Sequence, residues 1–385
     1  MTGFSFYEFF AGGGLVRTGL GPHWRCAFAN DVCPKKAGAY ALNHPMDAFR
    51  LGDVADVRAG HLPGRADLAW ASFPCQDLSL AGAGAGLGAS RSGAFWPFHR
   101  LIRALKAEGR APTLVVHENV VGAQSRRGGA DFAALCSALA ALDYRVGALV
   151  IDAAAFVPQS RPRVFIVAAC AFAAARAEAL GLAGAAPHAD DPWRTPALDA
   201  ARAAAPLPMI FWRLDPPRVR RGRLVDLVEA APNDVALDPP AMTAALLGLM
   251  TQRNRAKTAV AQAAARASGV REVGALYRRT RIEGGVRVQR AEARFDGLAG
   301  CLRTPAGGSS RQRLVIAEPH ETRTRLLSAR EAARLMGAPD GFQLPARYSE
   351  AYKLMGDGVA IPVVRHLARG LIEPLLSAAR EGVAA

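Results

Sequence analysis

Cys75, in "SFPCQDLSL", stands directly behind a proline and is followed by Gln76, Asp77 and Ser79 rather than by apolar residues. A cysteine that fills a core sits among apolar neighbours, so this one reads as a nucleophile at the mouth of a sheet. A thiol of ordinary pKa, about 8.5, reaches its thiolate form with the help of a nearby cation or proton acceptor. The chain offers both. Glu118, in "VVHENV", ends an apolar run and can act as an acid towards a ring nitrogen. Arg161 and Arg163, in "QSRPR", are separated by one residue ahead of "VFIVAA", so in an extended chain both face one side. One can orient Glu118 while the other holds a carbonyl oxygen. Cysteine, glutamate and arginine at three strand edges form a site for covalent attack on an electron-poor heterocycle. No metal is expected, because the six cysteines are widely spaced and include no CxxC pair.

A second set of residues points to a ligand beside that site. "FFAGGGL" follows a strand-like run, and Gly12, Gly13 and Gly14 let backbone amides approach a bound molecule. The spacing is not GxGxxG, so a dinucleotide is not the default. Asp31, at the end of the next strand-like run, can accept from ribose hydroxyls, and Asp53, in "LGDVADV", from an adenine amino group. Glycines, then acid, then acid at successive strand ends suit an adenosine-type ligand.

The elements that must position these groups are short apolar runs whose polar residues gather at their carboxyl ends. "SFYEFF", "RCAFAND", "ADLAWASF" and "TLVVHENV" predict an open α/β domain with a parallel sheet and ligands at its carboxyl edge. The Gly-rich "AGAGAGLGASRSGAFW" after Cys75 reads as a lid able to exclude water. Beyond about residue 171 prolines and arginines interrupt this rhythm. A helical segment is expected in "PPAMTAALLGLMTQRNRAKTAVAQAAARA", then two strands around the Glu-Gly-Gly turn of "VGALYRRTRIEGGVRVQRAEARF". "SAREAARLM" carries a capping box, Ser328 with Glu331, and "AIPVVRHLARGLIEPLL" reads as a helix that packs back on the first domain. The expected domains are residues 1–175, 176–315 and 316–385, the last returning to the first.

The formal charge is +15, from 48 basic and 33 acidic residues, which favours an anionic partner. Arginine outnumbers lysine 43 to 5, as a GC-biased genome alone can produce. Its placement is uneven, however: six arginines lie between 278 and 294 beside two glutamates. The amino terminus has no basic stretch ahead of an apolar run, and no apolar run approaches about 20 residues, so neither export nor membrane spanning is expected. A cytoplasmic, nucleoid-associated location is.

In order along the chain, "FAGGGL", "FPCQDLS", "ENV", "QSRPRVFIVA", "RLLSAREAARLMGAPDGF" and "YKLMGDGVAIPVV" resemble the motifs of the DNA (cytosine-5) methyltransferases. The resemblance spans nearly the whole chain. It implies a Rossmann-like S-adenosylmethionine-dependent catalytic domain with a smaller target-recognition domain, and double-stranded DNA as partner. S-adenosylmethionine is then expected along Phe10, Ala11, Gly12, Gly13, Gly14, Asp31 and Asp53, with Pro74, Asp357 and Val359 completing the site. A cytosine is flipped from the duplex. Cys75 adds to its C6, Glu118 bonds N3 and the exocyclic amine, Arg163 lies near the base carbonyl, and Arg161 supports Glu118. Ser79 and Arg91 on the lid, Arg221 and Arg279 in the basic insertion, and Arg303, Ser309 and Arg311 in "CLRTPAGGSSRQRL" are expected against DNA. A monomer is expected, with a separately acting restriction endonuclease as a possible partner. "GDGV" departs from the family's usual Gly-Asn followed by Ser or Thr, and Asp31 replaces a commoner glutamate. The alternatives are an RNA cytosine-5 methyltransferase and a catalytically silent DNA-binding homologue. The first would resemble a branch that usually carries Cys-Phe-Thr and a smaller recognition region, neither found here; the second leaves Cys75, Glu118, Arg161 and Arg163 without a use.

Overall fold

Strands β1 (Ser5–Phe9), β4 (Leu68–Ala71) and β5 (Leu114–Val120) are buried along nearly their whole length, as befits central strands covered on both faces. With β2 (Arg25–Asp31), β3 (Phe49–Leu51), β6 (Tyr144–Asp152) and β7 (Pro162–Cys170) they form one sheet in the order β3-β2-β1-β4-β5-β7-β6. The computed structural model describes residues 3–73, 94–218, 222–303 and 311–384. The expectations for the lid and for Pro74, Cys75, Ser79, Arg91, Arg221 and Ser309 lie outside these residues.

The five strands from β3 to β5 are parallel, as expected for the four runs read as strands there, whereas β7 runs antiparallel to both β5 and β6. The reversal has a chemical consequence. Val120 at the carboxyl end of β5 pairs with Arg163 near the amino end of β7, so Arg163 shares the edge where Glu118 emerges.

The helix Phe95–Ala107 buries Phe95, Phe98, Leu101, Ile102 and Leu105, one helical stripe, against this sheet. Phe98 meets Phe9 of β1 edge-on at 5.0 Å between ring centroids. The carboxyl-terminal helices Ile361–Leu367 and Glu373–Ala384, joined by a π-turn, return to the same unit as expected. A Cβ on Gly19 would lie 2.6 Å from the Val364 Cβ, so glycine there permits close approach. Glu373 accepts from Trp24 Nε1 at 2.9 Å and contacts His23 Nε2 at 2.9 Å.

Chain contacts divide the molecule at other places than the sequence suggested. The first unit holds residues 1–152, 162–218 and 359–385, and the second 153–161 and 219–358. The cut expected after 175 moves because strands β8 (Ala183–Gly184) and β9 (Phe211–Trp212) stay with the first unit: Ile210 N donates to Val146 O and Trp212 Nε1 to Val167 O, at 2.9 and 3.0 Å. The cut expected after 315 would split a strand. In the second unit β10 (Glu272–Glu283), β11 (Val286–Arg294), β12 (Arg313–Ala317) and β13 (Thr322–Leu326) make an antiparallel sheet in the order β11-β10-β12-β13.

The β10–β11 hairpin turns where it was expected. Gly284 and Gly285 have φ of 57° and 81°, the paired left-handed conformation that a two-residue hairpin loop requires. The helical segment before it is two helices, Pro240–Gly248 and Gln252–Ser268, which break at Met250 and bury Leu246 and Met250 with Leu276, Ala291, Ala293 and Val315.

The capping box opens the helix Ala329–Leu335 as its spacing predicts: Glu331 N donates to Ser328 Oγ at 3.0 Å and Ser328 N to Glu331 Oε2 at 2.7 Å. Glu331 also takes a two-pronged ion pair from Arg325, at 2.6 and 2.8 Å, with both side chains 1% exposed. Removing one partner of such a buried pair leaves the other charge uncompensated. Arg325→Met is therefore expected to destabilise the protein by roughly 3–5 kcal/mol, read as a lowered midpoint in urea unfolding.

Candidate active site

The amino-terminal loop is shaped by backbone geometry rather than by side chains. Phe10, a non-glycine residue, is held at φ 59°, and Gly12 and Gly14 at 57° and 77°. Ala11 N donates to Asn30 O, and Gly12 N to Asp31 Oδ2, both at 2.9 Å. The other Asp31 oxygen takes the Cys33 amide at 2.8 Å, so Asp31 clamps the loop to the end of β2. The loop is packed beneath and open above. A Cβ on Gly14 would collide with the His44 ring at 2.3 Å, whereas one on Gly12 would meet nothing within 4 Å. That open glycine face, with Asp31 beside it, fits the adenosine-bearing methyl donor that the motifs imply.

Asn30, which sequence reading passed over, carries the same edge onward. Its amide nitrogen donates to Arg50 O and Gly52 O, both at 2.9 Å, and so fixes the segment leading to Asp53. Asp53 caps the short turn Val54–Asp56 by accepting from Ala55 N at 2.8 Å. Ala11 is buried, and Gly13 sits between the two left-handed glycines.

Glu8 was also missed. It lies in the apolar run "SFYEFF" and is 1% exposed on β1, with neither carboxyl oxygen completing a hydrogen bond. A lone acid inside a run buried on both faces was the available signal. Burial pushes its pKa up to about 8, with Arg17 opposing and Asp31 reinforcing the shift. His44, between Gly14 O at 3.0 Å and Thr18 Oγ1 at 3.2 Å, is pushed down to about 4 by burial and by Arg17. A carboxyl whose folded pKa is raised stabilises the fold fully below its unfolded value and loses that contribution as pH rises through the folded one. Wild-type stability is expected to fall between about pH 4.5 and 8 from this group. Glu8→Gln, followed by urea unfolding across that range, should remove this component of the fall.

At the catalytic edge β5 is anchored from behind. His117 is buried among Phe73, Phe95 and Phe98, at centroid distances of 5.8, 5.3 and 5.0 Å, and burial pushes its pKa down to about 3. Strand alternation then turns Glu118 to the opposite face. Asn119 Nδ2 reaches Phe73 O at 3.5 Å, fastening the chain two residues before Cys75. Glu118 is paired: Arg163 Nε lies 3.1 Å from its Oε1, with side chains 14% and 9% exposed.

This pairing corrects the expected division of labour between the two arginines. Arg163 supports Glu118. Arg161, 2% exposed, turns its guanidinium within the second unit to Leu302 O at 3.1 Å, Gly356 O at 3.0 Å, Gly358 O at 2.5 Å and Cys301 Sγ at 3.2 Å. It thus binds the end of the helix Tyr348–Asp357 to the 301–302 segment. Gln159 does a parallel job, accepting from Leu302 N at 3.0 Å and donating to Leu335 O at 2.8 Å. Asp357 is exposed and Val359 is buried in the first unit. Of the residues expected against DNA, Arg279 and Arg303 are exposed, and Arg311 lies over the Tyr348 ring at 5.2 Å.

Comparison with known proteins gives the family. The chain is 24% identical over 369 residues to the type II methyltransferase M.NlaX of Neisseria lactamica, covering 95% of each. It is 30% identical over 167 residues to M.MspI of a Moraxella species, covering 43% of this chain and 38% of that one. The fold matches that of the methyltransferase EhMeth of Entamoeba histolytica with a TM-score of 0.60 at 12% identity, over 97% and 99% of the two chains. The family model of C-5 cytosine-specific DNA methylases matches residues 4–373, and the chain belongs to that family.

Proposed function

We propose that this chain, as an S-adenosylmethionine-dependent DNA (cytosine-5) methyltransferase, modifies cytosine within one short duplex sequence, with Cys75 as nucleophile and Glu118 and Arg163 as its partners. The observation that carries these roles is the pair between Glu118 of β5 and Arg163 of β7, with β5 next to the strand whose continuation leads to Cys75. S-adenosylmethionine supplies an electrophilic methyl group; Phe10 to Gly14, Asp31 and Asp53 would hold it, with Pro74, Asp357 and Val359.

Cytosine C5 is a weak nucleophile, and inside the duplex it is out of reach, so the base is extruded. Addition of the Cys75 thiolate to C6 drives the ring electrons towards C5 while Glu118 holds a proton at N3. Arg163 keeps that carboxyl in place, and the base carbonyl is its proposed second acceptor. After C5 has been methylated, loss of its proton returns the electron pair that expels the thiolate. Cys75 and an aromatic ring are restored.

Phosphate contacts are proposed for Ser79, Arg91, Arg221, Arg303, Ser309 and Arg311. Nucleophile, acid and a separate recognition unit in one chain suit action as a monomer, at the nucleoid, with a restriction endonuclease of the same target acting separately. Among the described residues no helix is long and apolar enough to cross a membrane. Transfer of labelled methyl to mixed-sequence duplex DNA, but not to a duplex of adenine and thymine alone, tests the activity.

A further inference from the structure

The β10–β11 hairpin projects beyond the core of its unit, and its two faces differ in kind. Residues opposite each other in an antiparallel pair share a face, and every second residue returns to it. One face carries Arg279, Arg281, Glu283, Arg290 and Glu292. Here each arginine is paired within the face, which keeps a net charge of only one: Arg279 Nε lies 3.3 Å from Glu292, Arg281 Nε donates to Glu292 at 2.6 Å, and Arg290 Nε to Glu283 at 2.8 Å.

The other face begins in the core with Leu276 and Ala293, then emerges as Arg278, the cross-strand pair Thr280 and Gln289, and the pair Ile282 and Arg287. All five emergent residues are exposed, with Ile282 74% so, and none is acidic. Gln289 Nε2 donates to Thr280 Oγ1 at 2.7 Å, which ties down the amide of an exposed side chain that still has a carbonyl oxygen and a second N–H to offer. At its root this face runs into a cavity of about 440 Å³ lined by Arg278, Arg311, Arg313, Met242 and Leu246.

We infer that this face of the ribbon reads the target sequence in the major groove, with Gln289 and Arg287 on base edges and Thr280 positioning Gln289. The major groove admits a two-stranded ribbon, and a glutamine amide or an arginine fork matches adenine or guanine edges there. Arg278 and Arg311, at the rim of that mostly apolar cavity, take the adjoining phosphate, Arg313 being paired with Asp238. The compensated face turns away from the duplex and stiffens the hairpin, which reassigns Arg279 from DNA contact to support. The inference rests on duplex DNA being the substrate.

Two readouts on one mixed-sequence duplex library test it with the full chain. One maps methylated cytosines base by base; the other enriches bound duplexes using the Cys75→Ala background. Gln289→Ala and Arg287→Ala should each relax preference at one position of the target by roughly 10- to 100-fold, with other positions kept. Thr280→Val should relax the Gln289 position less, and Arg281→Gln, on the compensated face, should leave the target unchanged. Unaltered enrichment in both Gln289→Ala and Arg287→Ala, or an equal loss across all sequences, would overturn the assignment. If the wild-type chain enriches one duplex sequence yet methylates nothing, the catalytic reading fails, and the same variants still decide the ribbon's role.

Discussion

Replacing Cys75 by alanine is expected to lower methyl transfer by on the order of 10⁴-fold or more, while duplex binding survives. The size follows from the role proposed for the thiolate. Without covalent addition at C6 no electron pair is driven to C5, and no other residue in the mechanism supplies one. Binding, by contrast, is proposed to rest on arginines and serines that this substitution leaves in place. The two are separable by single-turnover methyl transfer and by duplex titration at fixed salt, since phosphate contacts make affinity depend steeply on salt. A duplex carrying 5-fluorocytosine sharpens the test. Fluorine at C5 cannot leave as the proton does, so the thiolate stays attached and a protein–DNA adduct that survives denaturation should accumulate with the wild type and not with Cys75→Ala.

Glu118→Gln should cost roughly 10²- to 10⁴-fold in kcat, the usual worth of a positioned proton-transfer group. The amide keeps the shape of the carboxyl but cannot hold the N3 proton or balance Arg163. Arg163→Lys is expected to fall in the same range, because a lysine cannot reproduce the guanidinium that meets Glu118 at 3.1 Å. If the pair acts as a unit, the double variant loses little more than the worse single one, a non-additivity that a double-mutant cycle reads directly. Full additivity would mean that Arg163 serves the base independently of Glu118.

Much of this was open to reading from residue types and spacing. The capping box at Ser328, the Gly284–Gly285 turn and the return of the last helices to the first unit all depend on local rules, and each formed as expected. What escaped depends on non-local pairing. Arg161 and Arg163 look equivalent in "QSRPR", and only the antiparallel register of β7 against β5 brings Arg163 to Glu118, while Arg161 leaves for the carbonyls of residues 302, 356 and 358. The domain boundaries moved for a similar reason. Short strands such as β8 and β9 carry almost no periodic signal, and non-local contacts, among them hydrogen bonds to β6 and β7 and the Arg202 guanidinium over Phe211, tie residues 210–212 to the first unit. Glu8 was passed over because an acid in a strand normally marks a solvent face, and only a strand covered on both sides makes it a buried carboxyl.

The central claim, methylation of cytosine C5 in duplex DNA, is tested most directly by base-resolution sequencing after incubating the purified chain and S-adenosylmethionine with mixed-sequence duplex DNA, with RNA of the same sequences in parallel. Methylated cytosines confined to DNA and recurring in one short sequence are the predicted result. Methylation of the RNA alone, or of neither polymer, would contradict it.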